Sequence, residues 1–106
     1  RKLRNFMLGL SLVGPGLFLV PQAQAAGDRA LGEYLSTTCV SCHRPDGQSA
    51  EGIPSIIGWP SDQFVAVLKA YRDKTREHQI MNSLTSSLSD ADMDALAEYF
   101  GSLSRK

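Results

Sequence analysis

The clearest hydrophobic pattern in the chain lies near its C-terminus, in residues 89–101. Its apolar positions are Met93, Leu96, Ala97 and Phe100. This i, i+3, i+4, i+7 spacing predicts an amphipathic helix. Ser89 and Asp92 form a capping-box pattern at its start, and Gly101 stands near its end.

Two further segments have apolar residues at helical spacing, residues 26–38 and 63–71. Their apolar positions are Ala30, Leu31, Tyr34 and Leu35 in the first, and Phe64, Val67, Leu68 and Tyr71 in the second. Ser61 is the predicted N-cap of the second helix. Residues 44–58 are rich in Pro, Gly and Ser and predict a long loop, and residues 73–87 are polar, with one helical turn expected over 80–84. No segment alternates as a strand would, so we expect an all-α domain of three or four short helices.

The first 25 residues have a different character. Arg1, Lys2 and Arg4 precede an apolar run over residues 6–20, which ends in an Ala-x-Ala pattern at Ala23 and Ala25. A secretory signal peptide typically has a basic N-terminal segment, followed by a short apolar run and by small residues at the cleavage site. We therefore predict a signal peptide over residues 1–25, a mature domain over residues 26–106, a periplasmic location and no stable membrane span after cleavage. The alternative is a retained N-terminal anchor.

Composition and charge narrow the range of functions. The chain has 106 residues, with 11 basic and 11 acidic side chains. A nucleic-acid-binding domain would show a basic excess, so that class is not expected. A domain this small buries little apolar surface and often needs a disulfide, a metal or a cofactor for stability. The long predicted loops also favour a non-protein group at the centre.

Both cysteines lie in one pentapeptide, Cys39-Val40-Ser41-Cys42-His43. C-x-x-C-H is the pattern of covalent c-type haem attachment, in which each thiol adds to one vinyl group of the porphyrin. The adjacent His43 then supplies Nε2 to the iron. Its Nδ1–H is expected to donate to a carbonyl oxygen, which fixes the ring. We predict one covalent haem c held by Cys39, Cys42 and His43.

Three other interpretations of the cysteines remain open. A disulfide between Cys39 and Cys42 would close a very short loop and stabilise little. A thioredoxin-like dithiol normally occurs in a fold with strands, which the pattern does not predict. A zinc site made with His43 and His78 would lack the usual paired spacing.

A second axial ligand should come from further along the chain, where the candidates are His78, Met81 and Met93. Met93 lies on the apolar face of the last predicted helix, so a packing role is expected for it. Met81 stands in the polar segment without an apolar neighbourhood in sequence, and we predict that it is the ligand. Met/His ligation raises the reduction potential of haem iron. His78 is the alternative ligand.

Together these motifs resemble the class I c-type cytochromes. The resemblance covers nearly all of residues 26–106, and rests on the pentapeptide, residues 52–58, 64–71, 80–81 and 88–100. It is strongest for single haem domains of di-haem c-type cytochromes and for the cytochrome subunit of flavocytochrome c sulfide dehydrogenase. It implies a small fold of three to four helices wrapped around one haem.

The resemblance also implies roles for individual residues. The first and last helices should cross, with Gly32 and Leu35 near Leu96, Tyr99 or Phe100. The Pro54 carbonyl is the expected acceptor of the His43 Nδ1–H. Trp59 either donates to a haem propionate or packs in the wall of the haem pocket.

The predicted function is therefore electron transfer rather than catalysis, with redox proteins as partners. The resemblance to the cytochrome subunit of flavocytochrome c sulfide dehydrogenase implies, as the favoured role, a haem relay subunit that accepts electrons from a sulfide-oxidising flavoprotein. The chain would serve only as the relay, because it has no flavin-binding glycine motif of its own. The alternatives are a freely diffusing carrier for an oxidase or reductase, an open-site haem sensor or peroxidase with His78 at the distal side, and a dithiol oxidoreductase.

Overall fold

A computed structural model describes residues 9, 12–19 and 27–104 of the chain. The predicted signal peptide lies largely outside the described residues, and its cleavage site after Ala25 lies wholly outside them. Residues 12–19 have no regular secondary structure. Within the described ranges, no helix has both the length and the apolar character that a membrane crossing requires.

Residues 27–104 form four α-helices: α1 Arg29–Leu35, α2 Ser61–Arg72, α3 Gln79–Thr85 and α4 Asp90–Gly101. A 3₁₀ turn, Ser36–Thr38, extends α1. Residues 27–104 contain no β-strand, only an isolated bridge between Ala50 and Ile53. The all-α domain of three or four short helices expected from the sequence is confirmed.

Helix α4 is the central element and agrees with the sequence prediction in detail. Its predicted apolar positions are all buried: Met93, Leu96, Ala97 and Phe100. The Ser89 hydroxyl accepts from Asp92 N at 3.1 Å and the Asp92 carboxylate accepts from Ser89 N at 3.0 Å, so the capping box is complete. Both contacts satisfy amide groups that the first turn of a helix otherwise leaves unpaired.

The core lies where α2 packs on α4. Phe64 and Leu68 of α2 meet the apolar face of α4, and the Phe64 and Phe100 rings stack with centroids 5.8 Å apart. Ile57 joins this cluster from the loop before α2. Gly58 N donates to Phe100 O at 2.9 Å, which ties that loop to the end of α4.

Helices α1 and α4 cross at Gly32. A Cβ built on Gly32 would overlap the Ala95 carbonyl group and would lie 2.8 Å from the Tyr99 Cβ. Only glycine permits this backbone approach, as the expected helix crossing requires.

Three local predictions were wrong. Ser61 is the first residue of α2 rather than its N-cap, because the extended Pro60 occupies that position. Tyr34 is 76% exposed, since the buried side of α1 is at Gly32. The single turn expected over residues 80–84 is a helix of two turns, so Met81 lies on a helix and not in an irregular segment.

Candidate functional site

A helical turn after the 3₁₀ turn carries both cysteines. The amide nitrogens of Cys42 and His43 donate to the Cys39 carbonyl oxygen at 3.1 and 2.8 Å. Cys39 is half-buried against the core, whereas Cys42 is exposed. Burial raises the pKa of the Cys39 thiol above its ordinary 9.0, because desolvation disfavours the thiolate. The turn therefore holds two free thiols and an imidazole in one short segment.

His43 is oriented by a backbone carbonyl group from the following loop. Its Nδ1–H donates to Pro54 O at 2.8 Å. A carbonyl oxygen can only accept, so this contact places the hydrogen on Nδ1 and leaves the lone pair on Nε2. Nε2 is thus available as a metal ligand, and the contact at Nδ1 increases its basicity.

A tight turn places Pro54 beside the imidazole. Ala50 and Ile53 exchange two backbone hydrogen bonds, of 3.3 and 2.9 Å, around Glu51 and Gly52. Both central residues have positive φ, 49° and 79°. Gly52 adopts this conformation at no steric cost, while Glu51 is one of the uncommon non-glycine residues that do so.

Met81 lies in the first turn of α3, half-buried, with its side chain packed against the core. Its amide donates to His78 Nδ1 at 3.4 Å, and its carbonyl oxygen accepts from Thr85 Oγ1 at 2.8 Å. His78 is therefore the N-cap of the helix that carries Met81. Met93, by contrast, is fully buried in the core.

Asn82 joins three segments of the chain beside Met81. Its Nδ2 donates to the carbonyl oxygens of Tyr71 and Arg76, at 2.7 and 2.9 Å, and its Oδ1 accepts from His78 N at 2.9 Å. The end of α2, the following loop and the start of α3 are thus bonded to one side chain. Sequence reasoning missed Asn82 and Thr85, because small polar residues in a polar segment do not reveal that they bond to distant or preceding backbone groups.

A cavity of about 570 Å³ lies between the cysteine segment and helices α2 and α3. Every residue predicted at the site lines it: Cys39, Cys42, His43, Pro54, Trp59 and Met81. His78 lines it as well, and Met93 does not. Most of the remaining wall is apolar, including Ile53, Ile56, Phe64, Val67, Leu68, Ile80, Leu84, Leu88 and Leu96.

These residues fit a c-type haem. Both thiols and an imidazole with a free Nε2 stand at one wall, and a thioether stands on α3. The wall between them is apolar, as a largely apolar macrocycle requires. Among residues 27–104, no group of three or more His, Cys, Asp or Glu side chains is arranged to hold a metal ion directly, so a structural zinc site is not supported.

A small all-α domain around an apolar cavity with a C-x-x-C-H segment defines a protein of the c-type cytochrome class. The family model for cytochrome c matches residues 29–104. The chain belongs to the cytochrome c family. It carries haem c bound covalently and acts as an electron carrier that works with redox partners, not as a catalytic enzyme.

Two named cytochromes illustrate what this chain is similar to. The cytochrome subunit of sulfide dehydrogenase from Chlorobaculum tepidum is 35% identical over 71% of this chain and 68% of its own length. Cytochrome c-554(548) from Halomonas halodenitrificans is 38% identical over 73% of this chain and 98% of its own length.

The fold also resembles a solved structure, reduced recombinant cytochrome c4 from Pseudomonas stutzeri, with a TM-score of 0.61 and 23% identity. That match covers 79% of this chain and 55% of the cytochrome c4 chain. The chain thus corresponds to about half of the solved molecule, and the likeness concerns the fold alone.

Proposed function

We propose that this chain is a periplasmic mono-haem cytochrome c in which Cys39 and Cys42 form the thioether links, and His43 and Met81 are the axial ligands. The observation that carries the proposal is the orientation of His43. The Pro54 carbonyl oxygen accepts from Nδ1 and leaves Nε2 free at the wall of the cavity. Met81 supplies a soft sulfur donor from α3. The bound haem supplies one-electron chemistry; the chain orients the imidazole, holds the thioether and excludes water.

Met81 is favoured over His78 as the second ligand because of the hydrogen bond that His78 already makes. His78 Nδ1 accepts from the Met81 amide at the start of α3, and the ring is exposed. Met81 is half-buried and contacts the core. Moving His78 onto the iron would remove the cap of the helix that holds Met81.

The axial assignment is tested by replacing each methionine of the domain. Met81→Ala should abolish the far-red sulfur-to-iron absorption band, lower the reduction potential and allow the reduced protein to bind carbon monoxide. Met93→Leu is the matched control, because Met93 packs in the core away from the cavity, and it should keep the band. An unchanged far-red band in Met81→Ala would refute the assignment.

We also propose that the physiological role is that of a haem relay subunit, taking electrons from a sulfide-oxidising flavoprotein. The support is the 35% identity with a cytochrome subunit of sulfide dehydrogenase. The second candidate is a freely diffusing carrier, favoured by the match to nearly the full length of cytochrome c-554(548). Purification of the tagged chain from its own cells separates the two. A relay subunit co-elutes with a flavin-containing protein, whereas a free carrier elutes alone.

Export is part of the same proposal, with residues 1–25 as a cleaved signal peptide. The basic head, the short apolar run and the Ala-x-Ala pattern support it. The intact mass of the purified protein checks cleavage after Ala25 and the covalent haem together. A mass equal to the bare processed polypeptide would contradict the haem attachment.

A further inference from the structure

Among the residues that the structure describes, one permanently charged side chain lines the cavity. This side chain is Arg76, and the other lining residues include no Lys, Arg, Asp or Glu. It follows α2 in the loop that leads to α3. Arg76 and the cysteines belong to separate segments of the chain, the loop after α2 and the turn after α1, and both segments line the cavity.

Arg76 is held in place although its side chain is exposed. Its amide donates to Ala70 O at 3.1 Å, and its carbonyl oxygen accepts from Asn82 Nδ2 at 2.9 Å. Its guanidinium lies over the Tyr71 ring, 5.2 Å from the centroid. Stacking of this kind orients the planar guanidinium group and limits its motion before any ligand is bound.

The guanidinium also lacks an anionic partner in the part of the chain that the structure describes. Arg44 pairs with Asp46, and Lys69 and Arg72 both pair with Asp90. No described carboxylate lies within 4 Å of Arg76. The guanidinium of Arg76 is thus oriented at the cavity wall with its N–H donors free. Such a group is suited to bind a carboxylate, because a planar carboxylate can accept two parallel hydrogen bonds.

We propose that Arg76 binds a propionate carboxylate of the haem, an inference that rests on the proposed occupation of this cavity. The two vinyl groups that react with Cys39 and Cys42 lie at one edge of the porphyrin, and the two propionates lie at the opposite edge. Anchoring the vinyl edge at the cysteine wall directs the carboxylates away from it. Arg76 offsets part of their negative charge, which otherwise stabilises ferric iron.

The test compares Arg76→Gln with Lys74→Gln in the haem-loaded protein. Lys74 is an exposed cation of the same loop, lies outside the cavity lining and has no ion pair among the described residues. Both variants remove one positive charge. Arg76→Gln should shift the reduction equilibrium about three- to tenfold toward ferric iron, equivalent to about 28 to 59 mV at about 59 mV per tenfold. Lys74→Gln should shift it less than about twofold, because exposed charges are screened.

Two further measurements identify the contact itself. Resonance Raman spectra should show a displaced propionate-bending mode in Arg76→Gln and an unchanged mode in Lys74→Gln. Arg76→Lys keeps the charge and should recover at least half of the shift in potential. A potential and a propionate mode in Arg76→Gln that match those of Lys74→Gln would overturn the proposal, as would Arg76→Lys behaving like Arg76→Gln.

These outcomes are independent of the axial assignment. The far-red band should persist in all Arg76 variants, because Met81 is untouched. If Met81→Ala kept its band, the axial proposal would fail while the Raman comparison of Arg76 and Lys74 still decided the propionate contact.

Discussion

At the scale of single residues, the position of Met81 depends on Asn82. The Asn82 side chain satisfies two carbonyl oxygens and one amide from separate segments. Each hydrogen bond contributes about 0.5–1.5 kcal/mol, and a buried group left without a partner costs more. The short helix α3 has only seven residues, so these contacts matter more to it than its intrinsic helix propensity.

Asn82→Ala should therefore lower the free energy of unfolding by about 2–3 kcal/mol, because three backbone groups lose their partner at once. Denaturant titration of the holoprotein measures the loss, and the far-red band should bleach at a lower denaturant concentration than in the wild type. Ser83→Ala is the control, since Ser83 is the next residue and is exposed. Equal stability of the two variants would contradict this role for Asn82.

At the scale of helices, the close crossing of α1 and α4 requires a glycine at position 32. Alanine in place of glycine inside a helix normally stabilises it by about 0.8–1 kcal/mol. At Gly32 the added Cβ would overlap the Ala95 carbonyl group, so the helices must separate. Overpacking of this kind costs about 1–3 kcal/mol or more and outweighs the gain in propensity.

Gly32→Ala should thus destabilise the holoprotein by about 2 kcal/mol, measured by denaturant titration. Glu33→Ala, at an exposed position of the same helix, should change stability by less than about 0.5 kcal/mol. A Gly32→Ala variant more stable than the wild type would show that α1 does not approach α4 this closely.

Helices α2 and α4 are joined by an ion pair at the surface. Arg72 Nη2 contacts Asp90 Oδ1 at 2.7 Å, and Arg72 Nη1 donates to Leu88 O at 3.2 Å. The hydrogen bond from Arg72, and then the charge of Lys69, hold the pKa of Asp90 below its usual 3.8. Because the folded pKa is depressed, this stabilisation is complete above pH 3.8 and is lost as the pH falls through the folded value.

Asp90→Asn should therefore be less stable than the wild type at pH 6, and the difference should shrink as the pH falls below 3.8. Thermal unfolding of both proteins across this range measures it. Asp94→Asn also removes one charge from an exposed position of α4, but Asp94 has no ion pair among the described residues. A pH dependence shared by the two variants would mean that net charge, and not the pair with Arg72, is responsible.

At the scale of the whole molecule, sequence reasoning succeeded where a local signal is sufficient. The capping box of Ser89 and Asp92 and the spacing up to Phe100 define α4 without reference to other segments. The length of helix α3 was underestimated from the sequence, because its apolar residues, Ile80 and Leu84, face the cavity and not a protein core. Arg76 was overlooked for the same reason, since its role depends on which wall of the cavity it reaches.

The cavity also determines what the domain needs in order to fold. Without an occupant, the apolar side chains around this volume of about 570 Å³ have no packing partner on one side and face water. The stability of a typical domain is only about 5–15 kcal/mol, so exposure on this scale is a serious loss. Helices α2 and α3 would then lose one side of their apolar contacts, and the crossing of α1 and α4 at Gly32 would not by itself hold the domain together.

The chain produced without haem attachment should accordingly be largely unfolded. Its far-ultraviolet circular dichroism should show little helix and no cooperative thermal transition, because collapse of the cavity cannot replace the contacts of the macrocycle. The holoprotein, measured under the same conditions, should unfold in one transition. The Gly32→Ala change should have almost no effect on the haem-free chain, since the crossing it disrupts is not stably formed there. A cooperatively folded haem-free protein would show that α2 and α4 suffice for a core, and that the cofactor is bound by the fold and does not complete it.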